Sequence, residues 1–178
     1  MTATEETSMP AVQGDGGQAS GKPEHLVRPP RQFISFRVDN EEFAIDIISV
    51  REIKGWTSTA TLPNQPPYNR GVMNLRGTIV PIFDLRCRFG MGMTEASAFH
   101  VVIIASVMDR TIGLLVDAVS DILTVDGQDI RPVPDTEHAA SASYLAGIVT
   151  TKSGMVIVLS LEKLFGREQM TMNGEIAA

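Results

Sequence analysis

The chain has 178 residues, of which 43% are apolar and 20% charged, and a formal net charge of −6. That length suits one domain or two small ones, with a core that needs no staples. The acidic balance, with no Lys/Arg block against it, weighs against a nucleic-acid binder, which needs a basic face for phosphates. Cys87 is the single cysteine, so neither an internal disulfide nor a C-x-x-C metal motif is possible. Glu5 and Glu6 stand where a secretory leader has cationic residues, and no apolar run reaches about 18 residues. The expected compartment is the cytosol.

In chain order, residues 1–30 are rich in Gly, Ser, Thr, Gln and Pro, and such a tail cannot offset its ordering entropy by burial. Order is expected from about Gln32 to Gly166, with 167–178 as a second tail. Ile34, Phe36 and Val38 begin a strand-like run that ends at the turn signal Asp39-Asn40 and resumes at Phe43-Ala44-Ile45. Further short Val/Ile-rich runs follow at 79–83, 101–105, 112–116, 145–149 and 155–159. Pro81 within a run predicts a sheet edge or a bulge. Two short helices are expected, at 84–89 and 160–165. Each opens on an N-cap residue, Asp84 or Ser160, and stops at a glycine.

The chain repeats itself. Tyr68, Gly71, the run 80–85 and Phe89-Gly90 recur 76 positions later as Tyr144, Gly147, 156–161 and Phe165-Gly166. Ile47, Val50, Glu52 and Ile53 recur 69 positions later as Val116, Val119, Asp121 and Ile122. Two ordered pairings imply a duplicated unit. Each copy, of roughly 70 residues, is long enough for one small barrel. The expectation is a mainly β protein made of two similar barrels with a groove between them.

Catalytic signatures are missing from the sequence. His25, His100 and His138 are scattered, and no H-E-x-x-H, G-x-S-x-G or Walker motif occurs. Gly90-Met91-Gly92-Met93 has neither the third glycine nor the following helix of a phosphate loop. The distinctive stretch is Asn74-Leu75-Arg76-Gly77, between two strand-like runs. Gly77 suits a positive-φ turn, Asn74 can satisfy the backbone locally, and Arg76 can clamp a carboxylate. The candidate partner is Glu52, the one acid in an otherwise apolar strand of the same copy. Asp121 and Lys152 stand at the matching positions of the second copy.

These residues resemble the CheW family of bacterial chemotaxis. The likeness runs from Gln32 to Gly166 through Phe33-Ile34-Ser35-Phe36, Phe43–Ile47, Val50-Arg51-Glu52-Ile53, Gly71–Gly77, Ile79–Leu85, Gly113–Asp117, Ile130-Arg131-Pro132 and Tyr144–Gly147. The resemblance implies two intertwined, SH3-like, five-stranded β-barrels with short helices, one of them near the C-terminus. It implies a non-catalytic adaptor without cofactor or metal. Its partners would be the chemoreceptor cytoplasmic tip and the regulatory domain of the histidine kinase CheA. By position, Ile34, Ile47, Val50, Ile53 and Val119 would line a receptor groove between the barrels. Arg70, Asn74 and Arg76 would face the kinase, and Glu52 and Arg76 match the family's acidic and basic positions. Such a protein is recruited to receptor arrays without entering the membrane. Thr136 stands where some relatives carry a larger apolar residue used in a second kinase contact.

Three rival readings are weaker. A coupling module fused to a receiver domain needs about 120 further residues. A kinase fragment would show part of an ATP-binding half. A small-barrel nucleic-acid binder needs stacking aromatics, and these are 6% of the chain.

Overall fold

A computed structural model describes residues 29–134 and 143–166. His25, His138, Thr136 and both expected tails, apart from Pro29 and Pro30, lie outside the described residues. Ten strands are described: β1 Arg31–Val38, β2 Glu41–Asp46, β3 Val50–Gly55, β4 Asn69–Leu75, β5 Thr78–Asp84, β6 Val101–Val107, β7 Arg110–Val116, β8 Ala118–Val125, β9 Leu145–Thr151 and β10 Gly154–Leu159. A 3-10 turn, Ile47–Ser49, joins β2 to β3. The helices α1, Leu85–Arg88, and α2, Leu161–Leu164, follow β5 and β10. Asp84 and Ser160 cap them by accepting from the N–H of Cys87 and Lys163, the third residue along in each case.

The strands form two five-stranded sheets, β8-β1-β2-β10-β9 and β3-β6-β7-β5-β4. These are the two SH3-like units, although their edge strands are not hydrogen-bonded into closed cylinders. Substituting each strand by its repeat mate turns one order into the other. Registers agree residue by residue: Ser35 faces Asp121 next to a bulge in one sheet, and Ile104 faces Glu52 next to a bulge in the other. The parallel pairs agree as well, Ile82 with Gly113 and Val158 with Ala44.

The expectation of one barrel per contiguous copy is therefore corrected. Hairpin β1-β2 of the first copy sits in the sheet of β8, β9 and β10. Hairpin β6-β7 of the second sits with β3, β4 and β5. The chain crosses between sheets at Ile47–Ser49 and again at Asp117. Pro81 is not on an edge, because β5 lies between β7 and β4, but it sits beside a bulge, where the β4-β5 register shifts between Asn69 and Val72. Val72, opposite Pro81, spends its own N–H and C=O on Ala60. The missing N–H of Pro81 thus faces β7, where the ladder starts only at Ile82.

Burial follows from this exchange. Phe33, Ala44, Val149, Val156 and Val158 fill one unit, and Met73, Val80, Ile82, Val102 and Leu115 fill the other. A third, shared core joins Ile34, Phe36 and Phe43 to Phe83, Ile103, Leu114, the helix residues Leu161 and Leu164, and Phe165 just after the helix. Strand β1 is buried on both faces because Phe33 enters one core and Ile34 and Phe36 the other.

Candidate partner-binding surface

The β4-β5 hairpin turns on Arg76 and Gly77, with φ of 49° and 87° between the paired residues Leu75 and Thr78. Two consecutive positive-φ residues make the tight turn that matches strand twist. Asn74 Oδ1 accepts from the Gly77 N–H at 2.8 Å and fixes the turn. Arg76 is thereby aimed at β3, where its Nη2 lies 2.7 Å from Glu52 Oε2. The other Glu52 oxygen is buried without a hydrogen-bond partner. In the matching place of the second unit no ion pair forms among the described residues. Asp121 there accepts instead from the N–H of Ile122, shielding the open edge of β8.

Arg70 lies at the far end of β4 from Arg76 and is engaged inside the protein. Its guanidinium donates to Asp84 Oδ2 at 3.1 Å and to the Thr94 carbonyl at 2.6 Å, and it lies over the Trp56 ring. Asp84 is fully buried. Besides Arg70 and the Cys87 N–H, it accepts from the N–H and the hydroxyl of Thr94. It thus pins the 90–99 loop to α1 and β4. Sequence reasoning saw Asp84 only as a helix cap. Its counterpart Ser160 caps α2 without such a loop contact among the described residues.

Of the five groove candidates, Ile34 is the one that is buried. It is 4% exposed and belongs to the shared core. Ile47, Val50 and Val119 are half-buried beside the two crossovers, with Val50 and Val119 packed on that core. Ile53 is 44% exposed on edge strand β3. Its repeat mate Ile122, exposed on edge strand β8, was absent from the sequence assignment although the 69-residue offset points to it.

Burial, then the charge of Asp84, push the Cys87 thiol above its usual range, with Arg70 opposing. Among the described residues no cluster of His, Cys, Asp and Glu could hold a metal ion. None of their helices is long and apolar enough to cross a membrane.

Comparison with known proteins accounts for this arrangement. The CheW-like domain family matches residues 32–169. A chemotaxis protein CheW from Rhizobium meliloti is 43% identical over 145 residues, covering 82% of this chain and 94% of that protein. CheW from Klebsiella aerogenes is 37% identical, covering 83% and 89%. The crystal structure of the scaffolding protein CheW from Thermoanaerobacter tengcongensis superposes with a TM-score of 0.70 at 32% identity, covering 82% of this chain and 94% of that one. With its repeat, its ion-paired turn and these relatives, the chain belongs to the CheW family of chemotaxis scaffolding proteins, which are adaptors and not enzymes.

Proposed function

We propose that the protein couples the cytoplasmic tip of chemoreceptors to the regulatory domain of the kinase CheA, within residues 31–166, and is recruited to receptor arrays. The observation that carries this reading is the Glu52–Arg76 pair. It ties strand β3, with half-buried Val50 and exposed Ile53, to the turn that presents Asn74 and Arg76. A receptor helix would lay aliphatic anchors along Ile47, Val50, Ile53 and Val119. The charged turn would set register and selectivity for the kinase. Arg70 acts in this scheme from inside, by holding the base of β4. Two modest contacts on one rigid body bring kinase and receptor together through effective concentration.

Co-sedimentation of the full chain with a receptor cytoplasmic fragment and with CheA separates the two contacts. Ile53→Glu should lose the receptor and keep the kinase. Arg76→Glu should do the reverse, with circular dichroism unchanged in both. Failure of the unmodified chain to bind either partner would sink the proposal.

A further inference from the structure

The two crossovers are repeat mates, yet one seam is closed by charges and the other is open. At the β7-to-β8 crossover, Asp117 accepts from the Asp39 N–H at 2.6 Å, and His100 Nε2 lies 3.5 Å from its other oxygen. Arg86 completes the closure at 3.1 Å from Asp39. The repeat replaces every member of this group at the β2-to-β3 crossover. Ile48 stands for Asp117, Met108 for Asp39, Arg31 for His100 and Glu162 for Arg86. Ile48 is 87% exposed. It stands at the lip of a cleft of about 400 Å³ that is lined also by Phe33, Leu159, Leu161 and Glu162.

We propose that this open seam is a second protein-docking site, which takes an aliphatic side chain flanked by a lysine or arginine of a partner. An isoleucine side chain that is 87% exposed makes little packing contact of its own and is available to a partner. The charge of the partner follows from the lining. Arg31 and Asp46 satisfy each other at 2.6 Å, whereas Glu162 has no ion-pair partner among the described residues. Among the described residues, the seam therefore presents one carboxylate without an ion-pair partner, beside exposed Ile48 and a cleft of mixed polar and apolar lining, on a chain whose net charge is −6. None of Ile47, Val50, Ile53, Val119 or Arg76 lines this cleft, although Ile47 shares its turn with Ile48 and Ser49.

The test is a titration of the full chain, labelled at Ile and Leu methyls, with acetyl-Leu-Leu-Lys-Lys-amide and its charge-reversed mate acetyl-Leu-Leu-Glu-Glu-amide. The basic peptide should shift the Ile48 and Leu161 methyl signals, several-fold more strongly than the acidic one. Ile48→Ser should abolish the shifts, and Glu162→Lys should reverse the preference between peptides. Ile53→Glu should leave both intact, so this result stands apart from that of the receptor assay. Equal response to both peptides, shifts scattered over the surface, or no shifts would overturn the proposal. So would shifts at Ile48 that depend on protein concentration without peptide, which would identify a second copy as the occupant.

Discussion

Asp84 satisfies the helix start, the 90–99 loop and the Arg70 guanidinium with one buried carboxylate. Removing it strands two backbone N–H groups and a largely buried cation. Asp84→Ala should cost about 3 kcal/mol, read as a lower urea midpoint with unchanged slope. The same carboxylate acts on Cys87. A raised thiol pKa leaves less thiolate at pH 8 than an unhindered cysteine has. Reaction with Ellman's reagent should therefore be slow in the native protein and fast in urea. Its native rate should keep climbing above the pH at which the unfolded chain levels off. At this scale the sequence was partly legible. Glu52 and Arg76 could be paired because Glu52 is the one acid of β3 and Arg76 is a fork-shaped donor in a turn of the same copy. Arg70 could not be read, because Asp84, Thr94 and Trp56 meet it only through the fold.

Strand β4 shows what an element demands of its glycines. Gly71 has φ of +100°, and a methyl there would press on the backbone carbonyl of Ala60, which pairs with Val72. Gly77 also has positive φ but faces open space. Gly77→Ala should cost about 1 kcal/mol from backbone strain alone. Gly71→Ala should cost clearly more, because rigid backbone must move as well, and thermal melts of the two variants rank them directly. Strand runs and both helix caps were readable here, since apolar alternation and Asp84 or Ser160 before a short apolar segment are local signals. Of the edge or bulge expected at Pro81, the bulge is found, since the β4-β5 register shifts between Asn69 and Val72, the partner of Pro81, and Ala60 takes the hydrogen bonds of Val72.

The repeat told which elements are mates but not which mates share a sheet. A three-residue link such as Ile47–Ser49 serves a hairpin or a crossover equally well, so the exchange of β1-β2 for β6-β7 had no local sign. Its consequence is cooperativity. Each unit is built from both copies and rests on the shared core, so neither can melt alone. The one tryptophan, Trp56, packs only in the β3-β6-β7-β5-β4 unit. Val149→Ala, in the other unit, should nonetheless shift the Trp56 fluorescence transition and the far-ultraviolet dichroism transition by the same amount. Separate transitions would mean that the units unfold independently.

The exchanged hairpin also sets a timetable for synthesis. Strands β1 and β2 leave the ribosome early, carrying Phe33, Phe36 and Phe43, but their neighbours β8 and β10 end only at Val125 and Leu159. At about 5–20 residues per second, translation keeps that apolar hairpin without its sheet for roughly ten seconds. A nascent chain of this kind is a natural client for ribosome-bound chaperones until its last strand emerges.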